Sequence, residues 1–255
     1  PFFSGNAYGY KSELIAEAHN IDAQTLREWN ANPKIKMIDL MGDIEALYND
    51  EAELVIYDTP GPNNSQDDNH EALTMEVIND GGYGLILYVL NATQLGVNDD
   101  RSLLEKIKEA LGKDPNKEIL FLLNKADCLD EEKGERLDQV VIRTQKYLTE
   151  VGFNNPTIIP TAANYALVLQ KMLNKELLTR SERAELRIAL DSLNTNLIVA
   201  STIETEQKLK ILNNIKKTKT EGRVKTANGN TITKQRLERA LMKSGFGVVN
   251  YLLQE

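Results

Sequence analysis

Residues 85–127 read LILYVLNATQLGVNDDRSLLEKIKEALGKDPNKEILFLLNKAD, and this stretch decides the fold. It opens with Leu85-Ile86-Leu87-Tyr88-Val89-Leu90, six apolar residues in a row, too short for a bilayer span and of the length of a strand buried on both faces. Asp99 then opens a helical spacing, Leu103, Leu104, Ile107 and Leu111, which Gly112 closes. A second two-faced apolar run follows, Ile119-Leu120-Phe121-Leu122-Leu123. Strand, helix and strand within about forty residues is a parallel crossover unit. Working outward, the unit recurs on both sides. Leu54-Val55-Ile56-Tyr57 reads as a buried strand, Asn69 to Ile78 as a helix stopped by Gly81-Gly82, Glu132 to Val151 as a helix ended by Gly152, and Thr157-Ile158-Ile159 as a short strand. The predicted fold class is α/β: a doubly wound, mainly parallel sheet with helices on both faces.

The flanks are less regular. Lys11 to His19 reads as a helix, a second helix starts at Asp22, whose carboxylate caps the amides ahead of Leu26 and Trp29, and Pro33 ends it. Ile35 to Leu40 alternates as an edge strand. Beyond Pro160 come helical patterns at 162–174, 181–193 and 199–217. Val224 to Ile232 with Asn228-Gly229 at its centre reads as a hairpin with a two-residue turn, and a closing helix from Thr233 breaks near Gly245 and Gly247 before resuming to Leu253. The domain reading is an α/β domain over 1–163 and a helical extension over 164–255 carrying the hairpin 224–232. The run Lys208, Lys210, Lys216, Lys217 and Lys219 reads as a solvated helix face, with contact to phosphate groups or an anionic lipid surface as the alternative.

Composition narrows the function classes. The 255 residues are 41% hydrophobic and 27% charged, a balance suited to one large domain or two small ones. With 30 basic against 38 acidic residues the net charge is -8, which disfavours nucleic acid as a partner. Cys128 has no disulfide partner, and His19 and His70 are too few for a metal cluster, so a reducing cytoplasm is the expected location. The chain begins Pro1-Phe2-Phe3 without Met or a signal segment and is expected to be a fragment or processed piece. Trp29 and the tyrosines read as packing residues, Cys128 as unreactive, and His70 as a helix start.

Two polar motifs stand at predicted strand ends, where doubly wound sheets bind ligands. Asp58-Thr59-Pro60-Gly61 follows strand 54–57. A carboxylate there can hold Mg²⁺ through water, and Gly61 lets a backbone amide approach a terminal phosphate; a plain β-to-α turn is the alternative. Asn124-Lys125-Ala126-Asp127 follows strand 119–123. The Asp127 carboxylate can accept from guanine N1 and N2, Asn124 can tether loops and base, and the Lys125 stem can cover the purine ring. Pro160-Thr161-Ala162-Ala163 ends a third strand and offers backbone amides to a guanine O6.

These motifs, with Pro62-Asn63 extending the first and Leu87 to Leu95 between them, resemble the guanine-nucleotide-binding domain of dynamin-like GTPases, bacterial ones in particular. The resemblance runs from about Ile35 to Ala163, and more weakly through Leu237-Glu238-Arg239-Ala240-Leu241 ahead of Ser244-Gly245. It implies a phosphate-loop, Ras-like GTPase fold and a parent protein that binds GTP or GDP with Mg²⁺ and hydrolyses GTP. By it, Asp58 holds the magnesium water, Thr59, Pro60 and Gly61 line the γ-phosphate, Asn124, Lys125 and Asp127 read guanine, and Thr161 and Ala162 form the last base-contacting loop. It further implies self-association through this domain and a cytoplasmic protein, peripheral at a membrane that it touches only through parts outside this chain. One departure stands out: the family's G-x-x-x-x-G-K-[ST] loop is absent. The nearest stretch, Gly5 to Ser12, places Tyr10 where the second Gly belongs and reads as a loop into the first helix; no first-switch threonine is assigned. In the family's strand order this leaves a gap between strands 54–57 and 85–90. A non-catalytic interaction module that kept the guanine-reading loops is therefore the competing expectation.

Overall fold

A computed structural model describes residues 3–42, 55–59, 69–80, 82–95, 98–112, 117–226 and 229–254. The chain divides into two units, Pro1–Ile56 and Tyr57–Glu255.

The first unit is an antiparallel sheet in the order β2-β1-β3, formed by β1 (Ser4–Tyr8), β2 (Leu14–Ala18) and β3 (Met37–Met41), with α1 (Ala23–Asn30) between β2 and β3. Two expectations are corrected here. Lys11–His19 is no helix: its second half is β2, paired antiparallel to β1 from Gly5–Ala18 to Tyr8–Leu14. Residues 5–12 are a strand and a turn, closed by Gly9 N–H donating to Glu13 O at 2.9 Å with Ser12 in the left-handed region. The local spacing suited a helix, but cross-strand pairing with a segment only a few residues away overrides so short a pattern. The cap at Asp22 is as expected: one carboxylate oxygen accepts from Gln24 N, Thr25 N and Thr25 Oγ1, and these bonds hold its pKa below the usual value.

The second unit is α/β. Its elements run α2 (Asn69–Asp80), β4 (Leu85–Asn91), α3 (Asn98–Leu111), β5 (Glu118–Asn124), α4 (Leu137–Val151), β6 (Thr157–Pro160), α5 (Ala163–Leu173), α6 (Arg180–Ser192), α7 (Asn196–Ala200), α8 (Thr205–Lys217), β7 (Arg223–Lys225), β8 (Thr231–Thr233), α9 (Lys234–Lys243) and α10 (Phe246–Gln254). Strands β4, β5 and β6 form a parallel sheet in that order, with Leu87 opposite Leu120 and Phe121 opposite Ile158.

The strand period of two sorts the core into two layers. Tyr88, Leu90, Phe121, Leu123 and Ile158 pack with Leu104 and Ile107 of α3 and Val140 and Leu148 of α4. Leu120, Leu122 and Ile159 face the other way, against Ile198 of α7, Ile211 and Ile215 of α8 and Val248 and Val249 of α10. Helices therefore cover both faces, as expected. The extension helices form the second layer and add a further cluster, in which Leu169 of α5, Ala189 of α6 and Leu237 of α9 are fully buried.

Other expectations change in detail. Val55, Ile56 and Tyr57 are exposed and belong to no strand, so the buried strand 54–57 is not formed over its described residues, and Leu54 lies outside them. Four apolar residues are too few to hold a strand without a partner edge. Strand β4 is an outer strand among the described residues: Leu87 is 38% and Val89 60% exposed, so one of its apolar faces is only partly covered. The helix expected from Glu132 begins at Leu137, after single 3₁₀ turns at Ala126–Cys128 and Glu131–Lys133. The pattern 199–217 is two helices, α7 and α8. The hairpin forms, but Thr226 N–H donates to Asn230 O at 2.7 Å and Gly229 has φ +81°, a longer connection than a two-residue turn; Asn228 itself is outside the described residues. No described helix is long and apolar enough to cross a membrane.

Candidate functional site

The carboxyl ends of β4, β5 and β6 place Asn91, Asn124 and Pro160-Thr161 side by side, because the ladder pairs Asn91 with Asn124 and Leu123 with Pro160. Backbone bonds then stitch the ends together. Ala92 N–H donates to Asn124 O at 2.8 Å, Thr161 N–H to Leu123 O at 2.9 Å, and Ala126 N–H to Thr161 O at 3.1 Å. Asn124 adds a side-chain clasp: its Oδ1 accepts from Thr161 Oγ1 at 3.3 Å and from Ala163 N at 3.1 Å. The same amide's Nδ2 donates to none of the described residues.

After Asn124 the chain turns sharply. Lys125 has φ 62° and ψ 29°, the left-handed region, which a non-glycine residue occupies only where surrounding bonds hold it. Cys128 N–H donates to Lys125 O at 3.0 Å and closes the turn. The strained backbone leaves Lys125 exposed and Asp127 half-exposed on the rim. Cys128 Sγ donates weakly to Asp127 Oδ2 at 3.7 Å. Partial burial, and then the Asp127 carboxylate, push the Cys128 thiol above its usual pKa, which fits the unreactive thiol expected there.

The third loop departs from expectation. Thr161 and Ala162 are buried, at 1% and 0% exposure. Their amides are taken inside the protein, Thr161 by Leu123 O and Ala162 by Ser244 O at 2.9 Å, while Ala163 N–H goes to Asn124. Pro160 has no N–H to give. None of these amides is open to a guanine O6 in this structure; Thr161 Oγ1 and Ala163 N–H hold Asn124 in place instead.

Beside Asp127 lies a cavity of about 340 Å³, walled by Tyr165 of α5, Leu137 of α4 and the Leu193–Leu197 turn between α6 and α7. Burial, followed by the charge of Asp127, raises the Tyr165 pKa, so this hydroxyl stays protonated and can donate. Sequence reasoning missed Tyr165, Asn194 and Asn196, because no local pattern marks a helical extension as a wall of a site 30 to 70 residues upstream. It also missed that Ser244 O accepts from Ala162 N–H and so braces the third loop.

The first motif is not drawn into this arrangement. Asp58 is exposed and Thr59 half-buried, neither in a helix or strand; Pro60 and Gly61 lie outside the described residues. Among the described residues, no group of three or more His, Cys, Asp and Glu is placed to hold a metal ion. No family model, curated protein or solved structure matches this chain.

Proposed function

We propose that this chain is the guanine-nucleotide-binding part of a dynamin-like GTPase, of the phosphate-loop, Ras-like fold, whose parent protein binds GTP with Mg²⁺ and hydrolyses it to GDP and phosphate. The observation that carries the reading is the Asn124 clasp: Oδ1 ties the ends of β5 and β6 together while Nδ2, the Lys125 stem and the Asp127 carboxylate are left at the carboxyl edge of a parallel sheet. A carboxylate at Asp127 accepts from guanine N1–H and N2–H₂ but finds no such pair of donors on adenine. The Lys125 methylenes cover the flat ring with the ammonium in water. GTP or GDP is the ligand, and self-association and a peripheral membrane role belong to the parent.

Asp58, Thr59 and Gly61 are assigned to the γ-phosphate and Mg²⁺ on the resemblance alone. Among the described residues no group of three or more His, Cys, Asp and Glu includes Asp58, so no step of hydrolysis is assigned to it. A second reading, the non-catalytic module, draws support from the exposed Val55–Tyr57, unpaired among the described residues, and from the engaged amides of Thr161 and Ala162. GTP turnover by the chain that Asp58→Ala abolishes would dismiss that second reading.

The test of base recognition is calorimetric titration of the 255-residue chain with GDP, ADP and XDP. GDP is expected to bind best, and Asp127→Asn, which replaces an acceptor by a donor, is expected to shift the GDP-to-XDP ratio by roughly tenfold or more toward XDP, the consequence of about 1–3 kcal/mol per unpaired buried group. An unchanged ratio removes Asp127 from the base site.

A further inference from the structure

The charge of this protein is unevenly distributed. Residues 205–243 carry eleven Lys and Arg against three Asp and Glu, a net +8 within a chain whose net charge is -8. Helix α9 gathers three of these cations, Arg236, Arg239 and Lys243, on one face at helical spacing, and that face borders a cavity of about 210 Å³ whose apolar side is Leu190 and Leu193 at the end of α6. No carboxylate lines it. The one acidic residue of α9, Glu238, is turned away and accepts from Thr220 Oγ1.

Each cation is held differently. Arg239 is anchored, its Nη2 donating to Lys216 O at 2.8 Å and Thr218 O at 3.1 Å, while its Nε is buried with no partner among the described residues. Arg236 reaches Leu190 O at 3.4 Å and Asp191 Oδ1 at 3.2 Å on the rim, an exposed pair that water and salt weaken. Lys243 is half-buried and makes no ion pair among the described residues. Gln235 Nε2 donates to Thr218 O, so the donors on this wall that remain are the three cations and the Thr233 hydroxyl. Three like charges on one helix face repel one another unless an anion lies between them.

We propose that this α6–α9 cavity is a binding site for a phosphate group, carried by a soluble phosphoester or by a lipid headgroup. A phosphoryl group presents several charged oxygens from one centre and suits cations converging on a small cavity; a carboxylate offers two oxygens in a plane. The site shares Leu193 with the cavity beside Asp127, but its cations all come from α9, and it does not rest on the nucleotide reading.

The test has two arms, both on the whole chain. Pyrophosphate is titrated by calorimetry, and phosphatidylcholine vesicles with and without phosphatidic acid are used in co-sedimentation. Binding in either arm is expected to weaken about tenfold or more in Lys243→Glu and less in Lys243→Gln, the scale of a lost charge-assisted bond. Lys146→Glu, on the exposed face of α4, makes the same change in net charge and is expected to leave binding unchanged. Pyrophosphate binding that depends on Lys243 supports the proposal with a soluble ligand, and Lys243-dependent binding confined to phosphatidic acid vesicles supports it with a headgroup. No binding in either arm, binding indifferent to Lys243, or equal loss in Lys146→Glu overturns it. Asp127→Asn is expected to leave both arms untouched, so failure of the nucleotide reading is seen separately.

Discussion

Among the described glycines with positive φ, Gly245 is the one whose replacement by Ala is expected to damage this protein most. Gly245 sits between α9 and α10 with φ +91°, where an L side chain costs about 1–2 kcal/mol. A Cβ there would overlap the carbonyl oxygen of Pro160 and stand 3.0 Å from Thr161 Cα, both backbone atoms of the β6 end that no rotamer change can move. Relieving that overlap adds about 1–3 kcal/mol. The sum, roughly 2–5 kcal/mol, is a large part of a typical domain's stability. Gly134 provides the control: its φ is +82°, nearly the same, but no heavy atom lies within 4 Å of its Cβ position, so Gly134→Ala should cost only about 1–2 kcal/mol. Urea unfolding followed by circular dichroism measures both. Ser244 O holds Ala162 N and Thr161 holds Asn124, so, on the proposed guanine reading, the Gly245 variant should also bind GDP more weakly at urea concentrations where it is folded. Equal destabilisation by the two substitutions would refute the close-approach argument and leave Gly245 as a conformational device only.

Two predictions concern titrating groups. Glu182 closes the Thr179 capping box of α6 and takes Lys171 Nζ at 2.6 Å; these bonds, the lysine first, hold its carboxyl down at about 2 from an ordinary 4.5. A depressed carboxyl stabilises the fold fully above about pH 4.5 and ever less as the pH falls toward 2, so the urea midpoint should drop more steeply across that window in the wild type than in Glu182→Gln, and parallel slopes would count against the pairing. Cys128, its thiol pKa raised by burial and then by Asp127, should react with iodoacetamide more slowly than free cysteine at mildly alkaline pH, and Asp127→Asn should speed it by removing the neighbouring negative charge; identical rates in wild type and variant would mean the two side chains do not sense each other.

The parts that were legible in the sequence share one physical property: their information is local. Strands β5 and β6 were readable because residues buried on both faces must be apolar without interruption, β4 because its run is equally apolar although one face is only partly covered, and α3 because its apolar residues repeat on one face before Gly112. The Asp22 cap, the break at Gly245 and the placement of Asn124-Lys125-Ala126-Asp127 beyond a central strand follow from the same kind of local chemistry. What misled was pairing. Leu14–Ala18 is a strand only because β1 lies beside it, and Val55–Tyr57 is apolar enough for a strand yet has no edge to join among the described residues.

The sequence by itself determined that the second unit is a parallel α/β sheet with a polar rim after β5, since burial pattern and side-chain chemistry are written residue by residue. Tertiary structure alone decided which groups on that rim are left over. A backbone N–H has one bond to give, and whether Thr161 and Ala162 give theirs to a ligand or to Leu123 and Ser244 depends on where β5 and the α9–α10 turn come to rest. The gathering of Arg236, Arg239 and Lys243 against α6 is of the same kind: the charges stand in the sequence, but only packing brings them to the wall of one cavity, with the Asp191 carboxylate at its rim.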